Sequence, residues 1–459
     1  MYFGGVDVEE LADKYGTPLI VTDENIVREN YRAYVRAFSE FRDEISSVYD
    51  VDICYAVKAN GSIAILRILA QEGAGADVVS GCELKAAMLA GIPSDKIIFN
   101  GNAKTDDELR LAVETGVLLC LDSLDEAEAL SEIAHGLQLP SSDQPSSDQP
   151  SLPVERESVH VAVRVNPDIS VKTHPKIATA LKNSKFGIPA ADIFNTFRRI
   201  SLMKLIKLRG IHCHIGSQIL DVSVFQEAAE KMLRIASSLQ REYDIDFVDI
   251  GGGLGIKYSE DDVQPTPHDL ADALKAAFRV AKLRRPVKLV LEPGRSIVGN
   301  ASILLTKVQA VKRTAERNFA AVDAGFNILI RPAMYGAYHE IIPASCMRTD
   351  AENNRTDEFE EYTIVGPLCE SGDVLGEHRK LPRLKRGEIL VIMNVGAYGF
   401  SMSSQYNMRP RCAEVLVCNG KTELIRERET FGDLIRHQII PPRLLKKLHD
   451  CSTCMGFND

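Results

Sequence analysis

ICYAVKAN, residues 53–60, is an almost wholly apolar run that carries a single charged side chain, Lys58, near its end. Its length and its β-branched and aromatic residues predict a buried strand. An ammonium group is costly to desolvate, so a lysine at the end of such a strand either extends into water or serves chemistry. The first interpretation suffices if the run stands alone, and the rest of the chain decides between the two.

Seven similar runs follow along the first two thirds of the chain, so eight strands are predicted in all. Helix-like stretches such as GCELKAAMLAGI (81–92) separate them, with apolar residues at helical spacing and a glycine near the end. Strands that alternate with helices pair in parallel, and eight such units in about 250 residues predict a (β/α)8 barrel. An open, doubly wound sheet is the structural alternative. The predicted strands are 53–60, 76–81, 97–102, 118–123, 161–167, 210–216, 247–253 and 288–294.

Polar residues or glycines stand where these strands end, and this favours the barrel. A barrel keeps its active site at the carboxyl ends of its strands, where the following loops meet. One polar strand end carries little information, but eight that converge on one rim are hard to explain by packing. These residues are Lys58, Asp77, Ser80, Asn100, Asn166, His214, Gly253 and Glu292.

After Arg295 the pattern changes to strands that follow strands. Runs such as ASILLTKVQAVKR (301–313) alternate apolar and polar residues between Gly, Pro or Asp turns, which predicts an antiparallel β-domain. The run TPLIVTDENIV (17–27) is predicted to add one strand to it. The predicted domains are therefore a barrel over residues 28–296 and a β-domain formed by residues 1–27 together with 297–459.

One low-complexity segment, at about 139–158, interrupts the alternation of strands and helices. It contains PSSDQPSSDQ, which offers too little apolar surface to fold. Because it precedes the fifth strand, it is predicted to be a surface insertion opposite the catalytic rim, without a chemical role. The terminal CSTC, with Cys451 and Cys454, is a lone C-x-x-C without a second pair, so zinc or redox chemistry there is a minor alternative.

The composition excludes several classes of function. The chain has 54 Lys and Arg against 64 Asp and Glu, for a net charge of −10, and no basic stripe that nucleic acid would need. No run approaches the roughly 20 apolar residues of a membrane span, and the acidic N-terminus is unlike a signal peptide. Ten cysteines are scattered singly, as in reduced cytosolic proteins. We therefore expect a cytoplasmic protein that binds neither nucleic acid nor membrane.

The rim residues fit one cofactor better than the alternatives. In VDIGGGLG (248–255) three glycines can hold an anion, and the loops after strands seven and eight are the usual phosphate site of a barrel. A dinucleotide is less suited, because no helix opens after the glycines. His212 and His214 could bind a metal, but no other strand ends in histidine, so no metal is predicted. A stacking or hydrogen-bonding histidine is the better interpretation, with a plain core histidine as the alternative. Lys58, a phosphate loop and the acidic Glu292 together indicate pyridoxal phosphate, which needs a lysine and a partner for its ring nitrogen.

Nine motifs in order carry a resemblance that spans about residues 5–430. They are YAVKAN, ADVVSGCEL, KFGI, HCHIGSQ, GGGLG, EPGRSIVGNA, RPAMYGAYH, CESGD and GAYGFSMSSQYN. With these the chain resembles the diaminopimelate decarboxylases, of the alanine-racemase-like fold group of pyridoxal 5'-phosphate enzymes. It departs from the usual pattern at Cys82, where a second glycine is common, and in the insertion.

The resemblance implies a role for each matching residue. Lys58 would bond covalently to the cofactor, His214 would stack on its ring, and Cys369 would protonate the α-carbon after carbon dioxide leaves. Glu292 would pair with the ring nitrogen. The implied cofactor-binding residues are Lys58, Asp77, His214, Ser217, Gly251, Gly252, Gly253, Glu292, Pro293, Gly294, Arg295 and Tyr398. The implied substrate-binding residues are Arg295, Arg331, Tyr335, Glu370 and Tyr398.

The resemblance also implies a reaction and an assembly. The enzyme would decarboxylate meso-2,6-diaminopimelate to L-lysine, the last step of lysine biosynthesis. Cys369 and Glu370 would come from the neighbouring subunit of a homodimer with shared sites. The alternatives are a sister decarboxylase of ornithine or arginine, a racemase, or an inactive relative with a binding role. CESGD and RPAMYGAYH argue against the first, CESGD argues against the second, and the presence of Lys58 and Cys369 argues against the third.

Overall fold

The computed structural model describes residues 1–138, 158–169, 184–347 and 358–444. The predicted insertion therefore lies outside the described residues except for Ser158, and Cys451 and Cys454 also lie outside them. Among the described residues, no helix combines the length and the apolar character that crossing a membrane requires.

The N-terminal segment supplies one strand to the second domain and one long helix to the barrel. Asp7 and Asp23 cap its two helices, since their side chains accept the backbone N–H of Glu9 and Asn25, each at 2.8 Å. Its elements are β1 (Tyr2–Phe3), β2 (Val6–Asp7), α1 (Val8–Tyr15), β3 (Leu19–Asp23) and α2 (Glu24–Glu44).

Eight parallel strands close into a barrel. The order of its strands is β10-β11-β12-β4-β5-β6-β7-β8, and β8 pairs with β10 to complete the ring, while the short β9 pairs only with β8. The predicted (β/α)8 barrel is confirmed, and the open sheet is excluded. Its elements are β4 (Val48–Ala56), α3 (Ile63–Gln71), β5 (Gly75–Val78), α4 (Gly81–Leu89), β6 (Ile97–Phe99), α5 (Asp106–Thr115), β7 (Leu118–Leu121), α6 (Leu124–Gln138), β8 (Val159–Asn166), β9 (Ile188–Pro189), α7 (Ile193–Ile200), β10 (Ile206–His212), α8 (Ser223–Leu239), β11 (Phe247–Asp249), α9 (Pro267–Val280) and β12 (Val287–Leu291).

The strands end earlier than the sequence predicted. β4 stops at Ala56, and a single 3₁₀ turn, Val57–Ala59, carries Lys58 beyond it. The backbone N–H of Ala56 donates to the carbonyl of Pro293 in the loop after β12, at 3.1 Å. β11 stops at Asp249, because Gly251 takes a positive φ of 71° that a strand does not allow. Several predicted strand ends are therefore the first residues of the rim loops.

The second domain is a mostly antiparallel sheet. Its strands follow the order β17-β16-β14-β13-β3-β19-β20, with β18 on β13 and β15 on β18. As predicted, β3 joins it, although β3 with β19 and β14 with β16 are parallel pairs. Its elements are α10 (Arg295–Val298), β13 (Ser302–Arg313), β14 (Asn318–Val322), α11 (Arg331–Tyr335), β15 (Ile341–Pro343), β16 (Phe359–Val365), β17 (Val374–Pro382), β18 (Ile389–Ile392), β19 (Ala413–Cys418), β20 (Lys421–Arg426) and α12 (Phe431–Ile435). The predicted domain limits at residues 28 and 296 lie inside α2 and α10 and stay predictions.

The loop after β18 joins the β-domain to the barrel rim. The backbone N–H of Tyr398 donates to the carbonyl of Ala59 at 2.8 Å, and the amide of Asn60 donates to the carbonyl of Gly396 at 3.3 Å. The turn that carries Lys58 is thus held from outside the barrel as well as from within. These contacts place Tyr398 at the rim.

Candidate active site

The barrel interior has an apolar layer with a polar layer above it. Because strand side chains alternate with period two, a residue two places further along points the same way. Asn100, Asp249 and Glu292 each follow, by two places, a residue of the apolar layer, and each is buried. The apolar layer consists of Cys54, Ile98, Cys120, Ala162, Phe247 and Val290. The polar groups therefore lie at the carboxyl end of the barrel, directly above the apolar layer.

Lys58 forms an ion pair with Asp77 at this rim. The Lys58 side chain is about one third exposed, whereas Asp77 is fully buried at the end of β5. Burial by itself lowers the pKa of Lys58, but the carboxylates of Asp77 and Glu292 outweigh it and raise that pKa above the ordinary value. Without a ligand, the lysine is therefore a charged group compensated by buried acids.

Asn100 and His212 hold the two oxygens of Glu292. The Asn100 amide donates to Asp77 Oδ1 at 2.8 Å and to Glu292 Oε1, and His212 Nε2 lies 3.2 Å from Glu292 Oε2. Burial tends to raise the pKa of Glu292, yet His212 and Lys58 hold it below the usual range. Burial and the nearby Glu292 raise the pKa of Asp249 well above its usual range, so Asp249 keeps its proton. Beside the Asp77 carboxylate that pairs with Lys58, Glu292 is therefore ionised, whereas Asp249 is not.

The same cluster contains three side chains of the types that bind metal ions. One ligand atom each from His212, Asp249 and Glu292 lies within 4.8 Å of the others. In the described part of the chain His214 does not belong to this group, and its Nδ1 accepts the backbone N–H of Gly252 at 3.2 Å instead. His212 and His214, which stand two residues apart, therefore have different surroundings. Burial and the charge of Lys58 lower the pKa of His214 well below its usual range, so its ring is neutral.

The glycine loop after β11 packs against both neighbouring rim loops. A Cβ on Gly252 would lie 1.9 Å from the carbonyl oxygen of Glu292, and one on Gly253 would lie 2.3 Å from that of Gly216. Only glycine allows backbones to come this close. The loop therefore forms the kind of cradle in which backbone amides hold a phosphate group beside His214 and Glu292, and it fits the predicted cofactor.

Two buried arginines face the same rim. Arg295 donates to Ser217 Oγ at 3.0 Å and to the Tyr258 hydroxyl at 2.8 Å, and the Tyr398 ring lies 4.9 Å from its guanidinium carbon. Arg331 donates to His339 Nε2 at 2.7 Å. Within the described ranges neither guanidinium forms an ion pair, although both are at least 94% buried. Buried guanidinium groups without an acidic partner are suited to a bound carboxylate or phosphate.

Three of the predicted residues lie outside the barrel, on α11 and on the loop between β16 and β17. Tyr335 ends α11, half-buried, and its phenol contributes to the electrostatic surroundings of Arg295 and Arg331. Cys369 and Glu370 are exposed in the loop between β16 and β17, and the Cys369 N–H donates to Asn407 Oδ1 at 2.8 Å. Among the described residues of this one chain, no hydrogen bond or ion pair joins these two to Lys58 or Glu292.

Sequence reasoning missed several residues of the site. The sequence pattern assigns His212 no specific partner, and it marks Asn100 only as a polar strand end. Asp249, Tyr258 and His339 had been given no role. Period-two alternation from Phe247 could have found Asp249, whereas Tyr258 and His339 lie in loops whose position no local pattern predicts.

Comparison with known proteins identifies the family. The family model for the pyridoxal-dependent decarboxylase, pyridoxal binding domain, matches residues 31–299. The diaminopimelate decarboxylase of Archaeoglobus fulgidus is 46% identical over 444 residues, 96% of this chain and 97% of the relative, and that of Aquifex aeolicus is 44% identical over 95% and 94%. The crystal structure of the diaminopimelate decarboxylase of M. jannaschii in complex with L-lysine has a TM-score of 0.86 and 41% identity, and it covers 97% of both chains. These likenesses confirm the predicted enzyme class and the predicted pyridoxal phosphate cofactor. The chain therefore belongs to the diaminopimelate decarboxylase family of pyridoxal-dependent decarboxylases.

Proposed function

We propose that this chain converts meso-2,6-diaminopimelate to L-lysine and carbon dioxide, with pyridoxal phosphate bound to Lys58. The observation that carries the proposal is the arrangement of one rim. There a lysine paired with a buried acid stands near an ionised Glu292 and near two buried guanidinium groups without acidic partners. The similarity to diaminopimelate decarboxylases, one of them in complex with L-lysine, supports the same reaction.

The residues around Lys58 suit the attachment of the cofactor. When bound, pyridoxal phosphate supplies an electron sink for the bond to the departing carboxylate. Glu292 would keep a proton on the nitrogen of the cofactor ring, because Asn100 and His212 fix its two oxygens while His212 and Lys58 hold its pKa below the usual range. His214 would offer the cofactor a neutral ring face, and the glycine loop would hold its phosphate.

The arginines favour diaminopimelate over other basic amino acids. Diaminopimelate keeps a second carboxylate after one is lost, whereas ornithine and arginine have only the carboxylate that leaves. Arg295 and Arg331, with Tyr335 and Tyr398 beside them, form a dicationic surface for that distal carboxylate, and a planar guanidinium binds it in two places. A substrate without the second carboxylate would leave both buried charges uncompensated.

Cys369 and Glu370 complete the site in a homodimer. In a single chain they are exposed, and among the described residues no hydrogen bond or ion pair joins them to the Lys58 cluster, although Asn407 holds their loop by a hydrogen bond. From a partner subunit, Cys369 would give its thiol proton to the α-carbon after carbon dioxide has left. Glu370 would accept the distal ammonium. We place the enzyme in the cytoplasm, at the last step of lysine biosynthesis.

A substrate comparison tests the proposal. The purified, cofactor-loaded protein receives meso-diaminopimelate, ornithine or arginine in separate reactions, and carbon dioxide and amine products are measured. We expect one lysine per carbon dioxide from the first and little turnover of the others. Faster turnover of ornithine or arginine would overturn the assignment. Arg331→Leu serves as the matched variant, and it should lower kcat/KM for diaminopimelate by at least about a hundredfold.

A further inference from the structure

His339 is a fully buried histidine that nothing in the proposed reaction yet uses. It lies between α11 and β15, with Nε2 at 2.7 Å from the Arg331 guanidinium and Nδ1 at 2.8 Å from the carbonyl oxygen of Met393. Its ring therefore connects a substrate-facing arginine with the backbone that follows β18. Such a contact is directional, unlike simple packing.

The two contacts fix the proton on the ring. A carbonyl oxygen can only accept, so His339 Nδ1 must carry the hydrogen that Met393 receives. A guanidinium can only donate, so His339 Nε2 must present its lone pair to Arg331. The neutral Nδ1–H tautomer satisfies both neighbours at once, and a protonated ring would repel Arg331. Burial and the charge of Arg331 agree with this, since they lower the pKa of His339 to about 3.

The ring of Tyr258 limits where the Arg331 guanidinium can move. That ring lies 4.5 Å from the Arg331 guanidinium carbon and meets the His339 ring edge-on at 5.1 Å. Its hydroxyl accepts a hydrogen bond from Arg295 at 2.8 Å. The Tyr258 ring thus contacts the Arg331 guanidinium, and His339 Nε2 fixes its orientation. The other N–H groups of the guanidinium can donate to a ligand.

We propose that His339 is a positioning residue that aims Arg331 at the distal carboxylate and so sets the substrate class as amino acids with a second carboxylate. This rests on the proposed function, because the ligand of Arg331 is the distal carboxylate of diaminopimelate and of the product lysine. His339 does not touch the substrate. It acts by fixing the direction of the two or more N–H groups that Arg331 still offers.

The test compares two variants that each keep one half of the histidine. The amide of His339→Gln can place an oxygen near the position of Nε2 and still accept from Arg331. The shorter His339→Asn can reach Met393 but leaves Arg331 without its acceptor. Binding of L-lysine and of 1,5-diaminopentane, which has the same chain without a carboxylate, is measured by calorimetry on the cofactor-loaded proteins.

We expect His339→Asn to weaken lysine binding about ten- to a hundredfold and to raise KM for diaminopimelate equally, with kcat changed less than about threefold. Binding of 1,5-diaminopentane should stay within about threefold, and His339→Gln should recover most of the lysine affinity. Equal losses for both ligands, or no recovery in His339→Gln, would overturn the proposal. Where His339→Asn does not accumulate as folded protein, His339→Phe, which keeps the ring shape, replaces it under the same criteria.

A double-mutant cycle separates this proposal from the proposed function. In the Arg331→Leu background, His339→Asn should change lysine binding by less than about twofold, because its effect passes through Arg331. An undiminished effect would overturn the positioning role. If the wild-type protein binds lysine with this coupling but does not decarboxylate diaminopimelate, the proposed function fails while the role of His339 toward a carboxylate ligand stands.

Discussion

Gly252→Ala should separate folding from cofactor binding. The added Cβ would lie 1.9 Å from the carbonyl oxygen of Glu292 and 2.7 Å from its carbonyl carbon, both of which are backbone atoms. To reach an ordinary contact of 3.4 Å, the two loops must part by about 1.5 Å. Since β10 and β12 flank β11 on opposite sides, a Gly252 pushed away from Glu292 presses against the loop of His214 and distorts the hydrogen bond that its N–H now donates to His214 Nδ1 at 3.2 Å.

We expect Gly252→Ala to lower the affinity for the cofactor more than it lowers the stability of the fold. Overpacking of this kind destabilises a protein by about 1–3 kcal/mol, which a domain of this size can tolerate. The phosphate cradle and the carboxylate of Glu292 both shift, however, so we expect the affinity for pyridoxal phosphate to fall at least about a hundredfold. Absorbance titration with the cofactor measures the affinity, and thermal unfolding of the cofactor-free protein measures the stability.

Gly136→Ala is the matched control. Gly136 lies exposed near the end of α6, and a Cβ there would meet nothing within 4 Å. This variant should bind the cofactor as the wild type does and gain up to about 1 kcal/mol in stability, since alanine is the better helix former. Cofactor binding by Gly252→Ala within threefold of the wild type would refute the argument from close approach.

Three further predictions concern charge and assembly. Lys58→Ala and Cys369→Ala should each be inactive, yet an equal mixture that exchanges subunits should recover about a quarter of the wild-type activity, because half of its dimers contain one intact site; no recovery would contradict shared sites. Glu292→Gln should keep the cofactor but lose about two orders of magnitude or more in kcat, and a smaller loss would remove Glu292 from its assigned role. Burial raises the pKa of Glu83 to about 7, so the folded state holds this proton more tightly than the unfolded chain, and the free energy of unfolding should fall between about pH 4.5 and 7. In urea denaturation Glu83→Gln should reduce that decline by up to about 1.4 kcal/mol per pH unit. If the variant and the wild type showed the same dependence of unfolding free energy on pH, the raised pKa of Glu83 would be contradicted.

Local patterns predicted which elements form the rim, because strand alternation and parallel pairing are properties of short segments. Lys58, Asp77 and Glu292 stood at predicted strand ends, and in the structure they meet as one electrostatic cluster. The exact strand limits were less predictable. Lys58 lies one turn beyond β4, since the Ala56 N–H bonds to Pro293 in another loop.

Contacts within the second domain, and those that join it to the barrel, could not be predicted from short segments. His339 forms a hydrogen bond with Met393 because β15 pairs with β18. No feature of the RPAMYGAYH segment predicts that strand pairing. The strand β17 was also missed, because its VLGEHRKLP sequence is interrupted by glycine and charge. Tyr258, in the loop after β11, contacts Arg295, which follows β12, and Arg331, which lies in α11. These contacts depend on how distant segments pack together.

The covalent attachment of the cofactor to Lys58 tests the account most directly. The cofactor-loaded protein is treated with borohydride, which fixes a lysine-bound cofactor irreversibly, and is then digested and analysed by mass spectrometry. We predict that the cofactor-derived mass lies on the peptide that carries Lys58 and that Lys58→Ala yields no such peptide. A modified peptide that carries a different lysine, such as Lys104 in the loop after β6, would contradict the account.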